Sequence, residues 1–194
     1  MKKYELTDET ITHCGHTLHR IRALRDFGAI YKGDLGGFIE SESNLAHEGN
    51  CWVFDNARVC DNARVCDNAW VFDNVRVCDN ARVCDNARVF DNARVCGDAR
   101  VFGKAQVFGD ARVFGDARVC DTSDYIVFKN WWSSGRYFTW TRSNNKWEVG
   151  CFYGTGEELI AKAYKDSEKS GREYERVVRY VESILADEQK GDKQ

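Results

Sequence analysis

The sequence predicts a mainly β protein built as a solenoid of short strands, with a small β cap before it and an α+β domain after it. Two observations predict the strands. Val recurs at every sixth residue from Val53 to Val119, and a small residue, Ala in ten of the twelve units, lies two positions before each Val. Because side chains two apart on a strand point to the same face, each small residue and its Val face inward together, and the residue between them faces outward.

A third observation is the pair of residues that separates one unit from the next. Seven units end in Asp-Asn, the first at 55–56, and later units carry Gly97-Asp98, Gly109-Asp110 and Gly115-Asp116. These residues tolerate positive φ and cap their own turns, so each unit reads as a short strand followed by a corner. The chain contains no Pro, which suits strands that donate hydrogen bonds to neighbours on both sides. A five-residue period would have indicated a pentapeptide solenoid, and hairpin turns would have indicated a meander.

The unit resembles that of hexapeptide-repeat proteins, in which an aliphatic residue follows a small residue by two positions. The resemblance implies a left-handed parallel β-helix with three strands in each 18-residue coil and about four regular coils over residues 51–122. The motifs Lys-Tyr-Glu-Leu-Thr-Asp, Leu-Gly-Gly-Phe-Ile-Glu and Gly-Cys-Phe-Tyr-Gly-Thr extend the resemblance to uncharacterised hexapeptide-repeat proteins of phages, prophages and gut anaerobes. It implies a fold and a mobile-element setting, and no established activity.

The flanks are the natural caps of the solenoid, because stacked repeats need their ends covered. Residues 1–50 predict a β-hairpin cap with its turn at Cys14-Gly15. Residues 123–194 predict an α+β domain whose second helix carries one apolar stripe. Its predicted elements are strands over Tyr125 to Phe128, Arg136 to Thr141 and Lys146 to Phe152, and helices that open at Thr155 and Ser170.

Composition narrows the class of protein. The formal net charge of -3 predicts no bulk attraction to nucleic acid or to an anionic membrane. Neither an N-terminal signal peptide nor a run of about 18 apolar residues is present, so we expect a cytoplasmic protein. Six of the nine Cys occupy one repeat position, which indicates duplication of the repeat rather than a framework of disulfides.

With three strands in a coil, residues 18 apart stack, and the outward positions form three ladders. One ladder is aromatic and is the predicted binding surface: Trp52, Phe54, Trp70, Phe72, Arg88, Phe90 and Phe108. Exposed apolar patches of this size usually mark a contact surface, for a protein partner, another copy in a dimer or trimer, or a flat ligand. Alternatively, the C-terminal segment folds back over this ladder and makes it core.

Two further ladders present arginines and are secondary binding candidates. One holds Arg58, Arg76, Arg94 and Arg112, and the other holds Arg64, Arg82, Arg100 and Arg118. Residues 51–122 contain ten Lys or Arg and eleven Asp, a balance of -1, which disfavours nucleic-acid binding. We expect these arginines to form a solvated lattice of ion pairs with the corner aspartates.

The sequence predicts neither a catalytic residue nor a cofactor. The residues with metal-ligand side chains cluster at His13, Cys14, His16 and His19. A hairpin with exposed histidines explains this cluster more simply than a metal site does. Hexapeptide solenoids include acyltransferases, which place a catalytic His beside a coil. The repeats here contain no His, and His47 is the nearest one in the sequence.

The functional prediction is therefore a non-catalytic binding protein. In a phage setting it would act in the host cytoplasm, blocking a host defence protein or sequestering a signalling nucleotide. An oligomeric scaffold and an acyltransferase remain the alternatives.

Overall fold

The computed structural model describes residues 2–191 and is a β-solenoid with parallel sheets, as the repeat predicted. Each repeat unit forms one two-residue strand, and three strands make one coil. In chain order, strands β4 to β15 are Trp52–Val53, Arg58–Val59, Arg64–Val65, Trp70–Val71, Arg76–Val77, Arg82–Val83, Arg88–Val89, Arg94–Val95, Arg100–Val101, Gln106–Val107, Arg112–Val113 and Arg118–Val119.

Strands stack in parallel with a register of 18 residues, which builds three faces. The first face is formed by β4, β7, β10 and β13, the second by β5, β8, β11 and β14, and the third by β6, β9, β12 and β15. Val53 pairs with Val71, and Arg58 pairs with Arg76. The Val and Ala side chains of the repeats fill the interior and are at most 1% exposed, so the small residue and the Val face inward together as predicted.

The corners explain why Asp and Gly recur. The first corner residue has positive φ throughout, between +51° and +61° in the seven Asp corners and between +62° and +73° in the four Gly corners. Each of these Asp side chains also accepts a hydrogen bond from the backbone N–H one coil later; Asp79 accepts from Gly97 at 2.8 Å. The corner carboxylates therefore hold adjacent coils together.

The N-terminal segment joins the solenoid through the second face. Strands β1 (Tyr4–His13) and β2 (His16–Ala23) form the predicted hairpin. Strand β3 (Leu35–Ile39) pairs antiparallel with β2 and parallel with β5. One seven-stranded sheet thus runs from the hairpin down the whole second face.

The C-terminal segment forms a small α+β unit with its own core. Its antiparallel sheet contains β16 (Tyr125–Lys129), β17 (Tyr137–Thr141), β18 (Lys146–Val149) and β19 (Phe152–Gly154). Helices α1 (Gly156–Asp166) and α2 (Glu168–Gly191) pack on this sheet through Leu159, Val177 and Val178.

Two details of this unit differ from the sequence prediction. One strand was expected over Lys146 to Phe152, but Gly150 has φ +66° and turns the chain between β18 and β19. Helix α2 begins at Glu168 rather than near Ser170, because the Ser167 side chain accepts a hydrogen bond from the backbone N–H of Ser170. Helix α1 begins with the predicted capping box, in which Thr155 and Glu158 exchange hydrogen bonds.

The C-terminal unit covers the end of the solenoid. The Thr139 hydroxyl accepts a hydrogen bond from the backbone N–H of Arg112 at 2.9 Å, and the Ser143 hydroxyl accepts one from the N–H of Arg118 at 2.7 Å. Among residues 2–191, no buried residue of α1 or α2 belongs to the core of the solenoid. Within residues 2–191, neither α1 nor α2 combines the length and the apolar character that a membrane-spanning helix requires.

Candidate binding surfaces

The aromatic column is the stack of Phe54, Phe72, Phe90 and Phe108 on the first face, continued by Tyr125. The rings of Phe72 and Phe90 lie 5.2 Å apart and nearly parallel, as do those of Phe90 and Phe108. Phe54 meets Phe72 edge to face. Phe108 is 41% exposed and the other three Phe are half-buried. The 18-residue register therefore produces an open ladder of rings, since the helices that could have covered it pack elsewhere.

Of the other residues predicted for this surface, Trp70 and Arg88 lie on it and Trp52 does not. Trp70 is half-buried, packs edge to face against Phe54 at 5.4 Å and lies beneath the exposed Arg88 guanidinium at 5.3 Å. Trp52 departs from the prediction, because it is fully buried against Phe27. The prediction that Trp52 forms part of an open binding surface is therefore wrong. Trp52 is a core residue beneath the N-terminal cap.

The aromatic column ends in a groove of about 470 Å³ where the solenoid meets the C-terminal unit. Phe108, Tyr125, Val127 and Tyr137 line it, and Tyr137 is 38% exposed. The Tyr125 hydroxyl donates to the carbonyl of Gln106 at 3.1 Å, which fixes the first strand of the C-terminal unit against the column. The sequence pattern stopped at Thr122, so it carried no signal for this groove.

The second face is covered by the tip of the hairpin, and the space between them is the hairpin cavity. It measures about 390 Å³ and is lined by His13 and His16 from the tip, and by Arg58, Arg76, Arg94 and Phe114 from the solenoid. Leu18 and Phe38 bury Cys60 beneath the hairpin. His16 joins tip and coil, since its ring nitrogens lie 3.0 Å from Glu40 and 3.2 Å from Asp61.

The arginines of the hairpin cavity have few partners. Arg58 donates to Nδ1 of His13 at 3.3 Å, while its Nε is buried and finds no hydrogen-bond partner in the described part of the chain. Within the part of the chain that the structure describes, the side chains of Arg76 and Arg94 make neither a hydrogen bond nor an ion pair. Burial, followed by the charges of Arg76 and Arg112, lowers the pKa of Arg94.

The two histidines of the tip respond in opposite directions. Burial and the nearby arginines lower the pKa of His13, whereas the hydrogen bond to Glu40 raises the pKa of His16. The hairpin tip therefore brings both histidines to the coils, although the sequence indicated His47 as the nearest. His47 accepts a hydrogen bond from the backbone N–H of Lys3 at 3.2 Å and stacks on Tyr4, which is a structural role in the cap.

The expected lattice of Arg–Asp ion pairs is wrong. Among residues 2–191, Arg112 is the only arginine of either arginine ladder within 4 Å of a carboxylate, and its partner is Glu148 of the C-terminal unit. The corner carboxylates bind backbone N–H groups instead. Arg112 is thus a structural residue rather than a free binding residue. The arginines of the third face are exposed: Arg64, Arg82, Arg100 and Arg118.

The cysteines also correct one expectation. Cys78 and Cys96, stacked 18 residues apart with Cα atoms 4.8 Å apart, form a disulfide, so one pair of repeat cysteines is bonded. Burial is the main cause that raises the pKa of the Cys60 and Cys66 thiols to about 12. Both are protonated at neutral pH, and the thiolate is the metal ligand and nucleophile.

In the described range, 2–191, three groups of side chains bring potential metal-ligand atoms within 4.8 Å of one another: Cys66 with Asp67 and Cys84, Cys78 with Asp79 and Cys96, and His16 with Glu40 and Asp61. The second is already joined by the disulfide. In the third, both ring nitrogens of His16 already face carboxylates. An ion pair between hairpin and coil accounts for the third group.

The solenoid is the part of the chain that resembles known proteins. Its repeats match the family model described as the YdcK Beta solenoid repeat. The match covers residues 57–71 and, in overlapping segments, residues 81–121. Over 63 residues the chain is 38% identical to a protein of Escherichia coli (strain K12) described as an uncharacterized acetyltransferase, YdcK. That alignment covers 28% of this chain and 19% of the E. coli protein. The likeness is therefore one of repeats, with most of both chains outside it.

Proposed function

We propose that this chain is a non-catalytic binding protein that uses the aromatic column and its groove to dock a protein partner. The observation that carries the proposal is the open stack of Phe rings that ends in the 470 Å³ groove. Aromatic residues are enriched at protein interfaces, and concave apolar sites accept the anchoring side chains of a partner. A second copy of the chain is the first partner to test.

The energetics favour docking on this surface. The rings are held by the register of the coils, so little side-chain freedom remains to be lost on association. With neighbouring ring centroids 5.2 to 6.2 Å apart, the four rings span only about 17 Å. A stable interface buries about 800 Å² on each partner, so the column would form the centre of a contact that extends over the groove and over Trp70 and Arg88.

The biological setting is a further part of the proposal. The resemblance of the flanking motifs to phage and prophage proteins favours a phage-encoded protein that binds and blocks a host protein, such as a component of a defence system, in the host cytoplasm. A homo-oligomeric scaffold would use the same surface with a second copy as its only partner. The two hypotheses differ in what covers the aromatic column: in a scaffold a second copy covers it in the purified protein, whereas in a host-binding protein it stays open until the host protein binds.

The test compares two double variants of the full chain. Phe72→Arg with Phe90→Arg places charge in the middle of the aromatic column. Cys84→Arg with Phe102→Arg introduces the same two charges at the equivalent repeat positions of the third face, and is the matched control. A hot-spot residue at the centre of an interface contributes about 2 kcal/mol or more to the binding free energy, which is about 30-fold in affinity. We therefore expect the column variant to lose association and the control variant to keep it.

Mass in solution by sedimentation is the first readout, and comparative capture from a bacterial lysate by wild type and both variants is the second. Loss of a dimer or trimer in the column variant alone supports a second copy as partner. Loss of a captured protein in the column variant alone supports a foreign partner. Unfolding of the column variant, or equal behaviour of both variants in both assays, would show that the column is not a docking surface.

Acyl transfer is a second candidate function, favoured by the name of the E. coli relative and by the position of His13. Burial and the nearby arginines lower the pKa of His13, which favours the neutral imidazole that a general base requires. This candidate predicts that acetyl-coenzyme A raises the unfolding temperature and that His13→Ala abolishes acetylation of a small amine panel. The matched control is His19→Ala, because His19 lies in the same hairpin and bonds to the carbonyl of Thr7. Absence of a thermal shift with any acyl donor, acyl carrier protein included, would rule acyl transfer out.

A further inference from the structure

The hairpin cavity has a feature that the proposed docking surface does not use: a column of three arginines that make no ion pair with any carboxylate among residues 2–191. Arg58, Arg76 and Arg94 are aligned by the parallel register of β5, β8 and β11. Equivalent arginines on the third face, such as Arg82, are open to water. The three on the second face are half-buried beneath the hairpin tip, where water screens their mutual repulsion less.

The carboxylates near this column are already engaged. Asp61 accepts the backbone N–H of Asp79 at 3.2 Å and faces His16 at 3.2 Å. Asp79 accepts the backbone N–H of Gly97. Glu148, which lies near the C-terminal end of this arginine column, is paired with Arg112. Positive charge therefore exceeds negative charge inside the cavity, although the solenoid as a whole is close to neutral.

We propose that the hairpin cavity binds a phosphorylated small molecule, with its anionic groups on Arg58, Arg76 and Arg94. Guanidinium groups present paired N–H donors that match phosphate oxygens. Among residues 2–191, the guanidinium groups of Arg76 and Arg94 make no hydrogen bond, so their N–H donors are free to bind such oxygens.

Size and lining narrow the ligand class. A volume of about 390 Å³ lies within the range of pockets for small organic ligands and exceeds what inorganic phosphate would fill. Phe114 and the sulfur of Cys60 supply an apolar wall beside the arginines. The hairpin tip lies over the column, which leaves no room for a nucleic-acid duplex. A nucleotide-sized ligand with two or more phosphate charges fits this combination.

Titration calorimetry of the full chain, in a buffer free of phosphate and sulfate, tests the proposal with ADP, pyrophosphate and adenosine as probes. We expect ADP to bind, pyrophosphate to bind more weakly, and adenosine to bind at least tenfold more weakly than ADP. Arg76→Gln, at the centre of the column, should weaken ADP binding at least tenfold, because a charge-assisted contact is lost.

Arg82→Gln is the matched control: it removes the same charge from the same repeat position on the open third face. It should change ADP binding less than twofold. The Arg76 side chain makes no hydrogen bond or ion pair within the described residues, so Arg76→Gln should fold, and Arg94→Gln provides a second variant with the same expected effect. No binding of ADP or pyrophosphate at millimolar concentration would overturn the proposal. Equal weakening by Arg76→Gln and Arg82→Gln would overturn it as well, since it would indicate general surface charge.

Discussion

The ion pair between Arg112 and Glu148 connects the last coil to the C-terminal unit, and its removal should weaken that connection measurably. Nη1 of Arg112 lies 3.0 Å from Oε1 of Glu148 and donates to the carbonyl of Gly150 at 3.1 Å. Glu148 is only 6% exposed, and its second carboxylate oxygen is buried and has no hydrogen-bond partner among residues 2–191. Substitution of Arg112 would therefore leave a buried carboxylate without its ion-pair partner, and only the more distant charge of Arg94 would still favour its ionised form.

We expect Arg112→Met to lower the free energy of unfolding of the C-terminal unit by about 3 kcal/mol. Removing one partner of a buried pair costs about 3–5 kcal/mol, and the lower end applies because Arg112 is itself 25% exposed. Arg100→Met is the control, since Arg100 occupies the same repeat position, is exposed and should change stability by less than about 0.5 kcal/mol. Combining Arg112→Met with Glu148→Gln should recover most of the loss, because no unpaired charge remains.

The cost of Arg112→Met should also depend on pH. Burial raises the pKa of Glu148, and Arg112 opposes that shift, so the substitution raises the pKa further. A carboxyl with a raised pKa in the folded state penalises folding above its unfolded value of about 4.3, and the penalty grows until the pH exceeds the folded pKa. The difference between wild type and Arg112→Met should therefore be smaller at pH 5 than at pH 8.

Chemical unfolding followed by tryptophan fluorescence measures this effect, because Trp140 and Trp147 lie in the core of the C-terminal unit. Circular dichroism reports the solenoid in the same samples. A loss for Arg112→Met no larger than that for Arg100→Met would refute the reasoning. So would a loss that is equal at pH 5 and pH 8.

Three other predictions concern the solenoid and the hairpin. Trp52→Ala should lower stability by about 3–5 kcal/mol and leave any association unchanged, because Trp52 is core; thermal unfolding and sedimentation check both parts. Asp79→Gly should cost less than Asp79→Ala by at least about 1 kcal/mol in denaturant unfolding, since both lose the bond to Gly97 but only Ala pays for the φ of +58°. The ion pair of His16 with Glu40 raises the pKa of His16, so its contribution is complete below the unfolded pKa of about 6.5 and is lost as pH rises through the folded value. The unfolding temperatures of wild type and His16→Ala should accordingly differ more at pH 6 than at pH 8.5, and an equal difference would count against this role.

The candidate surfaces were only partly predictable. The stacking of Phe72 on Phe90 followed from the repeat once three strands were assigned to a coil. The bonding of the corner aspartates to backbone N–H groups did not follow from the sequence. A corner Asp lies three residues before the next Arg, and this spacing is compatible both with an ion pair to that Arg and with a hydrogen bond from the next coil. The hairpin cavity was also missed, although the alternating apolar residues of the hairpin, such as Leu18, indicated that one of its faces must be buried.

By itself, the sequence determined the solenoid, its corners, the hairpin and the capped helix of the C-terminal unit. Those features depend on local periodicity and on residues that favour one backbone conformation, so each unit of the repeat carries the information for its own strand. Only the tertiary structure decided that the hairpin extends the second face and that the C-terminal unit covers the end of the solenoid. Both placements depend on pairings between residues far apart in the chain, such as Phe38 with Arg58 and Arg112 with Glu148. Local pattern does not encode which face such a segment will join.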